Sequence, residues 1–584
     1  MLRTAGKAGR RWLFVSLILY LGLRVIALTR VGLLEDRDSG SLIRDAQGFA
    51  TWDLTRIIDL RPDATPLYPL LSAVVSLPGL SLAFSARLVS WLAAGVLALA
   101  LVGVARQLAA PAAAGLTEPE DSAAARDWSV GVAAATVALL ALNPTLVDLS
   151  RSVLTEGLYV AVVYGGLLLL LLLLCRGAGS DWRHGAALGA LFALAFLART
   201  EGLVFLVAIP VIQLAVAWGR GRGRSGTAAA WPGAPAFLRW SIAYFVCFGL
   251  LALPQIWRVS RAMGQPAING RQVWQVILNQ PDEKPYEQKI YGLDHSPSEI
   301  NLVYIQSHPV LARQLAGQVT GSDLVAKAAD HGRRFLTESL PRLIAPLGLL
   351  LAALGIIALW RARRRAELVW MGLFLGAGLA APLLHDLDPR HLAVALPLLG
   401  LLQGIGLVWL AGMPPPAPGR SPATAIEADT AGQWRRRIRP VLVAGALAGV
   451  LLGFWADLAA ATLPPSTNRD YALADQEALL AVIHRDAPRP VDPLRISARQ
   501  GYLSLAAGAQ EVYLPFADYE ALVTYCRLNR VDLLLLEHDL LERYPFLPRF
   551  AAGDAPDFRL MHRRVSPSHG LLELYRFTPR GGGA

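Results

Sequence analysis

Uncharged apolar runs constrain this chain more than any other feature. Val160–Cys175 and Leu343–Trp360 contain no charged side chain, and a helix needs roughly 20 apolar residues to cross the hydrocarbon core of a bilayer. Inside that core each backbone N–H and C=O must be satisfied within its own segment, so such runs form helices and not open strands. The composition agrees. Of 584 residues, 54% are hydrophobic and 17% charged, against about 25% charged in a soluble domain. The mean hydropathy is +0.42. The expected fold class is therefore a polytopic α-helical membrane protein, with about 11 transmembrane helices.

A net charge of +11 would suit a nucleic-acid binder, but the basic residues do not form one patch. They lie in short segments beside apolar runs: Arg3, Lys7, Arg10 and Arg11; Arg176 and Arg183; Arg220, Arg222 and Arg224; RARRR; and WRRRIR. That is the pattern of cytoplasmic loops, and it excludes nucleic acid as the expected partner. The first span, about Trp12 to Thr29, lacks a small-residue cleavage site and is expected to remain in place. The last, about Pro440 to Ala460, leads outward. The expected location is the cell (inner) membrane, multi-pass, with the N-terminus cytoplasmic. The cysteines are Cys175, Cys247 and Cys526, which gives no disulfide framework and no CxxC pair.

Two regions follow from this alternation. Residues 1–461 form a transmembrane region with outer loops at about 31–66, 144–157 and 258–340. Residues 462–584 form an extracytoplasmic α/β domain. In it DPLRISARQ, QEVYLP and VDLLLLEHD read as strands bounded by turn residues. ADYEALVTYCRLNR has helical spacing. FRLMHRRV and LLELYRFTP read as a hairpin closing around SPSHG. No phosphate loop or nucleophile motif occurs there, so the domain is expected to cap the protein or dock an acceptor. PLYPLLSAVVSLPG, punctuated by prolines, reads as a short helix on the membrane surface.

Polar residues gather on the outer side. The stretch from Leu33 to Pro69 carries Glu35, Asp36, Asp38, Asp45, Asp53, Asp59 and Asp63 among four arginines. The second outer loop adds Asp148, Arg151 and Glu156, the third Arg199 and Glu201, and a later one His385, Asp386, Asp388, Arg390 and His391. Any one of these could be a solvated span end, because polar tips reach the interface at low cost. Their recurrence on one face argues for a shared site. Guanidinium groups bind phosphate bidentately, and a carboxylate can take a proton from an attacking hydroxyl. Together they describe transfer of a group from a lipid phosphate to an acceptor. HDLDPRH offers two His and two Asp but no recognised ligand spacing. No metal ligand is assigned; a divalent cation is compatible with the reading and not required by it.

At this point the chain resembles the GT-C superfamily of integral-membrane glycosyltransferases, in particular the bacterial branch related to protein O-mannosyltransferases and aminoarabinose transferases. The resemblance is carried, in order, by DSGSLIRDAQGFA, PLYPLLSAVVSL, ARLVSWLAAGVLALALVGVARQL, LNPTLVDLSRSVLTEGLYV, LARTEGLVFL and DPRHLAVALPLLGLL. It implies a GT-C-like membrane region, a polyprenyl-phosphate sugar donor, an extracytoplasmic acceptor (protein, lipid or glycan) and inverting transfer. It places the essential acid after the first span, where Asp38 is the match and Asp36 and Glu35 compete, since Ser39 stands where the family often has Glu. It further implies catalytic roles for Asp148 and Glu156, and donor contacts from Arg151, Arg199, Glu201, Arg390 and His391, the last replacing an aromatic. The alternatives are a lipid or sugar transporter or flippase, and an envelope-assembly scaffold. No internal repeat of the transporter kind is visible, and the charges crowd one face instead of mid-span.

Overall fold

The computed structural model describes residues 7–29, 37–53, 64–113, 119–175, 181–221, 234–264, 266–268, 284–308, 321–385, 387–413, 443–455, 473–486, 494–499, 507–566 and 570–579, with isolated residues between them. Glu35 and Asp36 lie outside the described residues, as do Asp386 and the side chains of Asp38 and His385. The chain divides into two compact units. The first holds Met1–Thr29, Arg87–Pro254 and Val325–Thr462; the second holds Arg30–Ala86, Gln255–Leu324 and Leu463–Ala584.

The first unit is a bundle of apolar helices, and the protein is a multi-pass membrane protein. Among the described residues seven helices are long and apolar enough to cross a bilayer: Gly9–Leu28, Leu82–Leu108, Ala124–Ala141, Thr155–Leu174, Pro235–Ala262, Arg365–Leu384 and His391–Leu410. Val325–Leu343 and Pro346–Arg361 form an eighth candidate, bent by 106° at the break between them. Three further apolar helices, Trp182–Ala198, Thr200–Val216 and Val443–Trp455, are shorter, the last within the span expected at about Pro440 to Ala460. Length alone thus supports seven or eight spans and leaves the eleven expected from the sequence without confirmation.

Close helix packing depends on glycines. In lipid there is no hydrophobic drive between helices, so small residues that let backbones approach dominate the crossings. A Cβ added at Gly185 would meet the carbonyl oxygen of Trp240, and one at Gly189, a turn later, that of Tyr244. Pro346–Arg361 and Leu396–Leu410 cross in the same way and reciprocally: Gly355 faces the Leu402 carbonyl and Gly406 faces that of Leu351. Gly249, by contrast, has nothing within 4 Å.

Two arginines are fully enclosed in this bundle. Arg24, with none of its surface exposed, donates to the carbonyls of Tyr20 at 2.9 Å and Leu140 at 3.3 Å and lies 3.4 Å from the centre of the Tyr20 ring. Arg364 donates to the Leu108 carbonyl and to Glu367. Both use backbone carbonyls and an aromatic ring or carboxylate in place of water, the condition under which a buried cation is tolerated.

The second unit contains a five-stranded sheet in the order β2-β1-β3-β5-β4, where β1 is Arg495–Ala498, β2 Gln510–Tyr513, β3 Leu533–Glu537, β4 Phe558–Ser566 and β5 Gly570–Phe577. β1 runs parallel to β2 and β3; β5 runs antiparallel to both β3 and β4. The run LLLLE is buried at every position, as a strand covered on both faces must be. Asp518 caps the helix Tyr519–Leu528 by accepting from the Ala521 N–H. These elements match the strands, helix and hairpin read from the sequence. Their core is shared with Val259, Ile290, Tyr291 and Ile305 from the preceding polar segment. The helix Arg37–Ala50 belongs to the same unit, where Arg44 pairs with Glu511 on β2. Arg258 and Gln255 both donate to the Ala64 carbonyl, at 2.8 and 2.9 Å.

Candidate functional site: a buried carboxylate–arginine cluster

Four of the span-end residues singled out in the sequence meet at one place in the helical bundle. Asn143 caps the helix Pro144–Arg151, accepting from the Leu146 N–H at 3.1 Å, with Pro144 in the first turn where its missing N–H costs nothing. Asn143 also donates to the Leu343 carbonyl at 3.0 Å. The chain then turns through Ser152, whose carbonyl accepts from Ser90 Oγ at 2.8 Å, and enters the helix Thr155–Cys175 with Glu156 in its first turn. A carboxylate there is favoured by the positive end of the helix dipole.

Glu156 is 4% exposed and faces Arg199, itself 4% exposed, and the two form an ion pair. Arg199 ends the helix Trp182–Ala198 in an extended conformation that turns its side chain toward Glu201 in the following 3-10 turn, Thr200–Leu203. Its Nη2 lies 2.6 Å from Glu201 Oε1 and its Nε 3.3 Å from Oε2, a two-point grip. Its Nη1 takes Glu156 and is 3.5 Å from Thr155 Oγ1. Burial alone would lower the Arg199 pKa; Glu156 and Glu201 outweigh it and raise it, so the guanidinium stays charged.

His391 enters from a third direction. Its Nε2 is 3.8 Å from Glu156 Oε1, and it opens the 3-10 turn His391–Ala395 that leads into Leu396–Leu410. The junction is held by Tyr164, whose hydroxyl donates to the Val394 carbonyl at 2.9 Å and accepts from the Leu398 N–H at 3.0 Å. These are the two groups a regular helix would join directly. The inserted hydroxyl ties this turn to the helix that carries Glu156.

Two further pairs are local. Asp148 and Arg151 join at 2.8 Å, one turn apart, with Arg151 buried and the Asp148 side chain 47% exposed. Asp388 accepts from the Arg390 N–H at 2.9 Å and lies 3.4 Å from Arg390 Nε. Arg390 keeps 29% of its side chain exposed.

Of the nine residues expected at the site, the structure brings Glu156, Arg199, Glu201 and His391 into one cluster. Asp148 with Arg151, and Arg390 with Asp388, form separate pairs. Asp36 lies outside the described residues; Asp38 is in the helix Arg37–Ala50, its side chain outside them. Seven residues on in that helix, Asp45 is 8% exposed. The sequence reading passed over Thr155 and Tyr164. Tyr164 carries a signal in retrospect, a hydroxyl inside an apolar run that must find a partner when buried. Among the described residues no group of three or more His, Cys, Asp or Glu side chains could hold a metal ion; of HDLDPRH, Asp386 and the His385 side chain lie outside them.

Comparison with known proteins gives the fold. No protein-family model matches the chain, and no curated protein sequence matches it. Solved structures match over nearly the whole length, two of one protein among them. One is ArnT from Cupriavidus metallidurans in the apo state, with TM-score 0.53 and 13% identity, over 97% of this chain and 98% of that one. The other is the same protein bound to undecaprenyl phosphate, with TM-score 0.50 and 15% identity, over 96% and 98%. The chain shares its fold with ArnT over nearly its whole length, a fold of the kind expected from the sequence.

Proposed function

We propose that this protein is a membrane glycosyltransferase that takes a sugar from a polyprenyl-phosphate donor and places it on an acceptor outside the cytoplasmic membrane, with inversion at the anomeric carbon. The supporting observation is the ArnT fold along 97% of the chain, one of whose structures holds undecaprenyl phosphate. The basic flanks of the spans support a cytoplasmic N-terminus and an extracytoplasmic segment after residue 462.

The residues divide by how much freedom their surroundings leave them. Arg199 spends its donors on two carboxylates and a hydroxyl, so it acts as a positioning residue that fixes Glu156 and Glu201. Glu156, closed in by Arg199 and His391, has the same kind of role. Arg390 and Arg151 suit the donor phosphate, Arg390 more so because it is the more exposed. A phosphate leaving group departs without a strong acid, and a nearby guanidinium stabilises its charge as it forms. The acceptor hydroxyl needs a base. Asp38 is the first candidate, with Asp36 beside it in the chain. Asp148, half exposed and oriented by Arg151, is the candidate within the bundle. Displacement then forms the acceptor oxygen–carbon bond as the carbon–phosphate oxygen bond breaks, and the hydroxyl proton goes to the carboxylate.

The test is binding of undecaprenyl phosphate to the purified full chain, measured by native mass spectrometry. Wild type binds. Arg390→Ala binds at least about tenfold more weakly, the cost of roughly one charge-assisted contact. Arg390→Lys falls between, because it keeps the charge and loses the fork. No binding by wild type overturns the proposal; equal binding by all three removes Arg390 from the donor site.

A further inference from the structure

An open cleft of about 440 Å³ lies in the second unit, between the segment Leu293–Pro297 and the helix Tyr519–Leu528. Asp294, His295, Ser296 and Thr524 line it with polar groups, and Leu293 and Pro297 with apolar ones. Its volume is that of an ordinary small-molecule site, which combines apolar walls with a few fixed polar groups.

The wall is held in place from several sides. Asn301 donates from Nδ2 to the Gln288 carbonyl and to Asp294 Oδ2, both at 3.1 Å, while its Oδ1 accepts from the Asp294 N–H at 3.1 Å. Gly292 allows this, since a Cβ there would strike the Gln288 carbonyl and Asn301. The Phe516 N–H donates to the Tyr291 carbonyl at 2.8 Å, and Asn529 Nδ2 to the Ser298 carbonyl at 2.9 Å. Both bonds tie the segment to the sheet domain. His295 is exposed and braced from behind by Tyr304, the rings nearly parallel with centroids 5.7 Å apart; Tyr304 in turn stacks on His308 at 3.9 Å.

Charge narrows the ligand. Lys284 Nζ lies 2.8 Å from Asp294 Oδ2, so the one carboxylate of the cleft is balanced by the lysine beside it. An anion would meet that carboxylate and no arginine fork, which phosphate recognition favours. A cation would meet an already neutralised pair. What remains are hydroxyl, imidazole and carboxylate groups that pair with hydroxyls as donors and acceptors, beside a flat ring and apolar walls. A pyranose presents the same combination, with hydroxyls on its rim and C–H groups on its face.

We propose that this cleft binds the neutral carbohydrate part of the acceptor. The assignment to the acceptor rests on the transferase reading above; the carbohydrate chemistry rests on the cleft alone.

The test is saturation-transfer NMR on the purified full chain in a detergent without a sugar headgroup, with maltotriose, chitotriose and mannotriose as probes. At least one should bind. Thr524→Trp, at an exposed position, fills the cleft and should weaken that binding at least tenfold. His295→Ala, also exposed, should weaken it severalfold. Both variants should bind undecaprenyl phosphate as wild type does. Trisaccharide binding that neither variant alters, or none by wild type, overturns the cleft. Trisaccharide binding lost in the variants, in a protein that never binds undecaprenyl phosphate, keeps the carbohydrate site and overturns only its link to transfer.

Discussion

Glu156 and Arg199 form an ion pair in which each side chain is 5% exposed. The pair joins the first turn of one helix to the end of another. With so little water near, attraction is strong and an unmatched charge is costly, so the cluster is either complete or disruptive.

Arg199→Leu leaves the buried Glu156 and the partly buried Glu201 with no guanidinium between them. Removing one partner of a buried pair costs about 3–5 kcal/mol, and the thermal midpoint of the purified protein should fall accordingly. Glu201→Gln should cost much less, because Arg199 keeps Glu156. Equal midpoints for Arg199→Leu and wild type would show that the cluster does not support the bundle.

The glycine crossings give a second prediction. Gly189→Leu forces a side chain against the Tyr244 carbonyl, and overpacking of this kind costs about 1–3 kcal/mol or more. Gly249→Leu enters open space and should leave the thermal midpoint unchanged. If the two variants unfold alike, the helices do not cross where these glycines lie.

Much of this architecture was legible in the sequence, for identifiable reasons. Uncharged runs such as Leu343–Trp360 mark helices because the bilayer admits little else. The sheet was legible because turn residues punctuate RISA, QEVY and LLLLE. The 106° bend before Pro346 was not, since hydropathy reports that a segment is apolar and says nothing of its direction. Glu156, Arg199, Glu201 and His391 could be named from their positions at span ends. That Arg199 faces two carboxylates is a fact of three dimensions. The Tyr164 hydroxyl between Val394 and Leu398 and the burial of Glu573 were equally hidden.

Two carboxyls of the sheet domain give opposite pH dependences. Glu537 is fully buried, which pushes its pKa from 4.5 up to about 8. Between those values the unfolded chain has released the proton that the folded one retains, so stability from this group falls as pH rises from 4.5 to about 8 and is level above. Glu573 is the reverse. Burial pushes its pKa up, but His538, Tyr575 and Arg563 bond to the carboxylate at 2.8, 2.9 and 2.6 Å and hold it below its ordinary value. Its contribution is present above the ordinary carboxylate range and is lost as pH falls through the lowered pKa. In denaturant titrations of the full chain followed by tyrosine fluorescence, Glu537→Gln should flatten the slope between pH 5 and 8. Glu573→Gln should weaken the domain at neutral pH and reduce its further loss in acid. A steeper slope in Glu537→Gln would contradict the assignment.

The most direct measurement of the central claim is turnover. Purified protein in lipid nanodiscs is given a panel of undecaprenyl-phosphate-linked sugars with an envelope extract as acceptor, and free undecaprenyl phosphate is followed over time. The account predicts acceptor-dependent release from at least one donor, with Asp38→Asn slowing it on the order of 10²–10⁴-fold while undecaprenyl phosphate still binds. Normal turnover in Asp38→Asn beside an inactive Asp45→Asn would move the base two turns along the same helix. Wild type that consumes no donor in the panel would contradict the account.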